Sequence, residues 1–249
     1  MLSTERRDTV LLITLDRPEK RNALHPEMIR ALSSALAQVE QDRSLGVVVI
    51  TGAGKSFCAG LDLGHLASLN GDIRVAYLET FFSLFQQIYQ LPQPVIAAVN
   101  GPAVAGGFDI AAACDLRVCS PEAMFAQTEL MLGITQIMYP LYEIIGLGRA
   151  KELALTAEPI SAEDAYRIGL VNHVYPGAHL LEEAWRLAQT IASRPRQAVF
   201  DTKRLSREVI EPPMAAAAGR MLAVMSERLR SEEHRVELER YVARLKRRI

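Results

Sequence analysis

The stretch VNGPAVAGGFDIAAACDLRV, Val99 to Val118, sets a carboxylate, Asp109, just after the pair Gly106 and Gly107 and directly ahead of an apolar, alanine-rich run. Two readings fit. An acid in the first turn of a helix is stabilised by the positive end of the helix dipole. Glycines there also leave backbone N–H groups open to close approach by a ligand, so the acid would work beside exposed donors. The stretch TGAGKSF, Thr51 to Phe57, invites two nucleotide-binding readings, and both fail. A phosphate-binding P-loop needs a glycine where Val49 stands, and a dinucleotide fingerprint starting at Gly52 needs one at Phe57. By itself this stretch is a glycine turn after a strand.

The same chain offers no metal-binding pattern. Cys58, Cys114 and Cys119 lack CxxC spacing, and His25, His65, His173, His179 and His234 form no pair at ligand spacing. Reduced thiols and packing histidines are expected, with no metal. The chain of 249 residues is long enough for one large domain or a domain with an appendage. Its formal net charge of −1 argues against nucleic acid as the main partner, because phosphate binding needs clustered Lys and Arg. The one short basic cluster is RLKRRI at the end. No stretch approaches the roughly 20 apolar residues of a membrane span, and the first residues lack a signal-like apolar segment. A cytoplasmic protein without a membrane partner is expected.

The elements that must position these residues alternate between strands and helices. TVLLITLDRP reads as a strand closed by Pro18, and HPEMIRALSSALAQVEQD follows with Ile29, Leu32, Leu36 and Val39 at helical spacing. VVVITG, PVIAAVNG, LRVCS and LVNHVYP are short apolar runs of the kind buried on both faces of a parallel sheet. Between them VAYLETFFSLFQQIYQLP aligns Phe81, Phe82, Phe85 and Ile88 on one helical stripe. The pattern is α/β. From Ala178 onward it becomes helical only, in EEAWRLAQTIAS, AAAAGRMLAVMSERLRS and VELERYVARLKRR, with a break at REVIEPP. An α/β core over 1–177 and a helical region over 178–249 are expected, with the boundary in YPGAH.

GAGKSFCAGLDL and NGPAVAGGFDIAAACDLRV, each after a buried strand, together resemble the crotonase superfamily, the enoyl-CoA hydratase/isomerase family. LDRPEKRNAL, FAQTELMLG and AKELALTAEPISAEDAYRIGLVNHVYP extend the resemblance in the family's order over most of the chain. The resemblance implies a spiral of repeated ββα units followed by helices that build trimers or dimers of trimers. It also implies an acyl-CoA thioester substrate, with coenzyme A part of the substrate and no separate cofactor.

Carried over by position, the resemblance makes the N–H groups of Leu61 and Gly106 an oxyanion hole for the thioester oxygen. It makes Asp109 and Glu129 the catalytic carboxylates. Paired acids suit syn-hydration of a trans-2-enoyl-CoA; isomerisation or hydrolysis within the family, and a non-catalytic acyl-CoA-binding paralogue, are the alternatives. The nucleotide part of the substrate is expected on Arg17, Lys20, Arg21 and Ala23 and on the loop Phe57, Ala59, Gly60, Asp62 and Leu63. Gly107 allows close backbone approach beside Gly106. Leu61, Leu63, Leu66, Phe81, Phe85, Met138 and Tyr139 are candidates for an apolar acyl pocket. Two departures from the hydratase pattern stand out. Asp109 replaces the usual Glu, which shortens its reach by about an ångström. A glycine-rich, water-holding segment is replaced by LGITQIMYPLYEIIG with Gln136, Met138 and Tyr139.

Overall fold

The β-branched run Val47–Gly52, here β3, is buried at every position. It lies inside a six-stranded sheet with β1 (Leu2–Arg7), β2 (Val10–Leu15), β4 (Val95–Val99), β6 (Leu116–Cys119) and β9 (His173–Val174). The order is β1-β2-β3-β4-β6-β9, parallel throughout except for the β1–β2 pair. This computed structural model describes residues 1–210, 219, 222, 223, 225–227 and 229–246. Period-two alternation divides the sheet's side chains between two layers. Val48 and Ile50 face α1 (Pro26–Gln41) and α3 (Gly71–Gln90) in one core, while Val47 and Val49 face α7 (Leu180–Ala192) through Leu180, Ala184 and Ala188.

The sequence did not announce β1, whose LSTERR is exposed at five of six positions and carries no apolar alternation. It is an edge strand held by its ladder to β2, in register from Leu2 opposite Leu15 to Arg7 opposite Val10. A charged edge of this kind resists pairing with other chains.

A second, smaller sheet explains how the chain spirals. After β3, β4 and β6 the backbone turns aside into a short second segment, and these segments stack in parallel. Cys58 bridges Ala103 of β5 (Ala103–Val104), and Ala103 pairs with Phe125 of β7 (Met124–Ala126). β8 (Ile160–Ser161) closes the stack antiparallel and runs directly into α6 (Ala162–Arg167). Each second segment leads into a helical stretch: α2 (Leu63–Ser68) with α3, then α4 (Gly106–Ala113), then a 3-10 turn at Glu129–Leu132 followed by α5 (Leu141–Thr156). The expected ββα spiral is present.

Buried polar groups brace its helices. Arg117 donates from a buried position to the carbonyls of Ala111, Ala112 and Cys114 at the end of α4 and to that of Leu170. Lys203 of α8 (Arg196–Ile210) donates to Asp115 Oδ2 at 2.6 Å and to the Gln93 carbonyl at 3.0 Å. The thiols of Cys58, Cys114 and Cys119 are free and buried. Among the described residues no helix is long and apolar enough to cross a membrane.

The helix expected at AAAAGRMLAVMSERLRS, the break at REVIEPP and the basic end RLKRRI lie partly outside the described residues. The last described helix, α9 (Glu232–Lys246), packs Leu238 into the main core with Tyr241 and Val242 beside it. Both of these side chains are half-buried. The side chain of Leu245 lies outside the described residues.

Gly107 and Gly148 make opposite predictions. A Cβ on Gly107 would stand 2.1 Å from the Cys58 carbonyl oxygen, whereas one on Gly148, in α5, meets nothing within 4 Å. Gly107→Ala should lower the unfolding midpoint in urea sharply or prevent folding. Gly148→Ala should raise stability by about 0.5–1 kcal/mol through helix propensity. Equal midpoints for the two variants would refute the close α4–Cys58 packing.

Candidate active site

The second segments carry the site because they are stacked. Three residues beyond the aligned positions Cys58, Ala103 and Phe125 stand Leu61, Gly106 and Thr128, with Glu129 next along. Successive turns of the spiral thus deliver residues far apart in sequence to one place. Leu61, Gly106, Asp109, Thr128 and Glu129 all line a single cavity, about 750 Å³ with its mouth included.

Two peptide groups at this cavity have their orientation set by backbone hydrogen bonds. The Leu24 N–H donates to the Gly60 carbonyl at 2.8 Å. Because a trans peptide points its N–H opposite to its C=O, the Leu61 N–H is turned away from Leu24. The Asp109 N–H donates to the Ala105 carbonyl at 3.0 Å, so the Gly106 N–H points out of the start of α4. Among the described residues neither of these two N–H groups has a backbone partner. They are close neighbours: a Cβ on Gly60 would lie 2.9 Å from the Gly106 nitrogen, so only glycine fits at position 60, whose φ is also +82°.

Ala105 adopts φ 52° and ψ −129°, a backbone region that costs a non-glycine residue about 1–3 kcal/mol. Its N–H donates to the Ala126 carbonyl of β7 at 2.8 Å, which clamps the strained residue from one side while Asp109 clamps its carbonyl from the other.

Asp109 sits in the first turn of α4, only 2% exposed, and its Oδ2 is buried without a hydrogen-bond partner. Burial, reinforced by the charge of Glu129, raises its pKa well above the usual carboxylate range; the Gln127 side chain opposes that shift. Glu129 opens the 3-10 turn with its Oε2 also buried and unpartnered. Its pKa is raised by burial to about 7, against opposing contributions from nearby backbone N–H groups and the Gln136 amide. Burial thus raises both carboxyls, so each holds its proton to higher pH than an exposed acid does.

The turn carrying Glu129 is anchored from α9. His234 is fully buried, and its Nδ1 donates to the Leu132 carbonyl at 2.6 Å. Burial lowers its pKa, which favours the neutral ring.

The other residues expected at the site divide clearly. Ala59, Leu63, Leu66 and Phe81 line the cavity. Phe57 and Phe85 are fully buried in the core behind it. Met138 packs on the core outside the cavity wall, and the Tyr139 hydroxyl is held 2.8 Å from that of Tyr89. Gly107 serves packing of α4 against Cys58. Arg17, expected at the nucleotide part of the substrate, has its guanidinium 2.6 Å from Asp62 Oδ2, with both side chains less than a fifth exposed. Asp62 also caps α2 through Oδ1, so its carboxylate is occupied as well. Lys20 and Arg21 are exposed, and Ala23 is half-buried beside them.

Several wall residues carried no local signal in the sequence. Leu78, Val104, Leu132, Ile134 and Ile137 read only as ordinary core, and Met225, Leu229 and Tyr241 reach the cavity from the C-terminal region. Among the described residues of this wall, apart from Asp109, Thr128 and Glu129, the side chains are aliphatic, thioether or aromatic, with the Tyr241 hydroxyl the one further polar group.

The family model for enoyl-CoA hydratase/isomerase matches residues 5–248. A putative enoyl-CoA hydratase of Thermus thermophilus is 38% identical over 222 residues, 87% of each chain. A short-chain-enoyl-CoA hydratase of Clostridium acetobutylicum is 36% identical, over 90% of this chain and 85% of its own. The crystal structure of an enoyl-CoA hydratase/isomerase from Xanthobacter autotrophicus Py2 superposes with a TM-score of 0.89 at 32% identity, over 96% of this chain and 91% of that one. With the ββα spiral and the helical C-terminal region already seen, these likenesses identify the fold as crotonase-like, and the chain belongs to the enoyl-CoA hydratase/isomerase family.

Proposed function

We propose that this enzyme hydrates a trans-2-enoyl-CoA whose acyl group is an unfunctionalised hydrocarbon. The observation that carries the reading is the pair Asp109 and Glu129: two buried carboxyls, each with an unpartnered oxygen, beside two N–H groups turned to the same cavity. The Leu61 and Gly106 N–H groups would hold the thioester oxygen as it gains negative charge, a task for which each donor is typically worth about 10²- to 10³-fold in rate. With one proton between them, the two carboxyls take a proton from water as its oxygen bonds to C3 and return one to C2. Apart from Asp109 and Glu129, the described residues of the wall offer no charged group to recognise a polar acyl chain. Lys20 and Arg21, exposed near the rim segment Gly60–Asp62, are the basic groups left for the phosphates once Arg17 is committed to Asp62.

Crotonyl-CoA tests this directly. Loss of its conjugated absorbance on mixing is expected; unchanged absorbance with tight binding would instead support the non-catalytic paralogue. Asp109→Asn and Glu129→Gln should each cut kcat by at least about 10²-fold, the usual scale for losing a positioned acid or base. Coenzyme A affinity should change little in either. Isomerisation through one carboxylate would show itself as widely different losses in the two variants.

Stability should report the same protonation. A pKa raised from 4.5 to about 7 on folding gives a contribution that is present below pH 4.5 and lost as pH rises through 7. Glu129→Gln removes that loss. Its melting temperature should match the parent's near pH 4.5, rise above it progressively to pH 7, and keep a constant advantage beyond. An advantage that shrinks with rising pH would show that the carboxyl is ionised and stabilising in the folded protein.

A further inference from the structure

The Leu61 N–H is aimed by the bond between Leu24 and Gly60, and one side chain holds both flanks of that bond. Tyr77, on α3, is 5% exposed. Its hydroxyl donates to the Leu24 carbonyl and accepts from the Asp62 N–H at 3.2 Å. Leu24 is the residue whose N–H holds the Gly60 carbonyl, and Asp62 follows Leu61. The Asp62 N–H also lies 3.4 Å from the Leu24 carbonyl, so the hydroxyl completes a three-centre contact at the point where the two segments would otherwise part. From the outer side, Arg17 holds the Asp62 carboxylate and also reaches the Ala23 carbonyl at 3.4 Å. The Gly60–Leu61–Asp62 backbone is thus gripped on both sides by groups that do not line the cavity.

We propose that Tyr77 is a positioning residue for the reaction: its hydroxyl, with the Arg17–Asp62 pair, fixes the direction of the Leu61 N–H toward the thioester oxygen. This rests on the oxyanion-hole reading above. The physical case is that a donor strengthens the transition state only when aimed where charge develops, and the Gly60 carbonyl, which sets that aim, is captured by a single backbone hydrogen bond, from Leu24. Tyr77 supplies the second restraint. The benefit falls on the rate of the chemical step rather than on binding, because the nucleotide part of the substrate is held elsewhere.

Tyr77→Phe keeps the ring in its place against His65 and removes only the hydroxyl. The readout is the infrared carbonyl band of butyryl-CoA carrying carbon-13 at the thioester carbonyl, a ligand that cannot be hydrated. In the parent protein the bound band should fall below its position in water, because two donors polarise the bond. In Tyr77→Phe at least about half of that displacement should be lost, with kcat on crotonyl-CoA down about tenfold and KM within about twofold. Full displacement and full kcat in a folded Tyr77→Phe would overturn the proposal. No displacement in the parent would overturn the donor assignment itself and this proposal with it, so the two failures are distinguishable. If Tyr77→Phe does not fold, Arg17→Gln loosens the same segment from the outer side and must show the same partial loss of displacement; an unchanged band there would equally refute the brace.

Discussion

The direction of two peptide groups, Gly60–Leu61 and Ala105–Gly106, is the constraint on which the rest of the site depends. Each has its carbonyl captured by a backbone N–H from a neighbouring element, Leu24 in one case and Asp109 in the other, at 2.8 and 3.0 Å. Trans geometry then leaves each N–H no choice but to face away from its captor. For the second group this requires Ala105 at φ 52°, a conformation maintained because β7 holds its N–H and α4 its carbonyl. The spiral supplies those captors. Stacking of Cys58, Ala103 and Phe125 brings the three second segments into register, so their next few residues converge without any contact between them being encoded locally.

Asp109 does two jobs in that arrangement. Its N–H fixes the Ala105 carbonyl, and its carboxyl is set one turn into α4 beside Glu129. An apolar surround would make two ionised carboxyls expensive, so the pair retains a proton into the neutral range. Gln127 and Gln136 temper this without abolishing it, and both have buried side-chain atoms left without partners. The segment that departs from the hydratase pattern therefore still places a polar amide next to Glu129. The shorter reach of Asp109 is set among closely packed neighbours: a Cβ on Gly106 would come within 3.0 Å of the Phe81 ring.

Much of the scaffold was legible because its signals are local. β3, β4 and β6 were visible as continuous apolar runs, and α1 and α3 as helical stripes, since a buried parallel strand and an amphipathic helix each impose a short period. The helix start at Gly106 and Asp109 was legible for the same reason. Glu129 was not readable from its surroundings, FAQTELMLG having no period and no cap pattern, and came only through the family resemblance. What escaped altogether depends on partners distant in sequence. Arg17 looks like a free cation until Asp62, 45 positions on, is seen to hold it. The Tyr77 hydroxyl finds the Leu24 carbonyl across 53 positions, and no periodicity marks a tyrosine in an aromatic-rich helix as different from its neighbours.

The central claim is geometric, and a crystal structure with a bound enoyl-CoA analogue, such as a thioether or a saturated acyl-CoA, tests it most directly. For the acyl-CoA, the thioester oxygen is predicted within about 2.7–3.1 Å of both the Leu61 and Gly106 nitrogens. In either complex the acyl carbons should lie against the face of the cavity that holds Asp109 and Glu129, and the phosphates near Lys20 and Arg21. A thioester oxygen lying outside hydrogen-bond range of either nitrogen, or an acyl chain directed away from the two carboxyls, would contradict it.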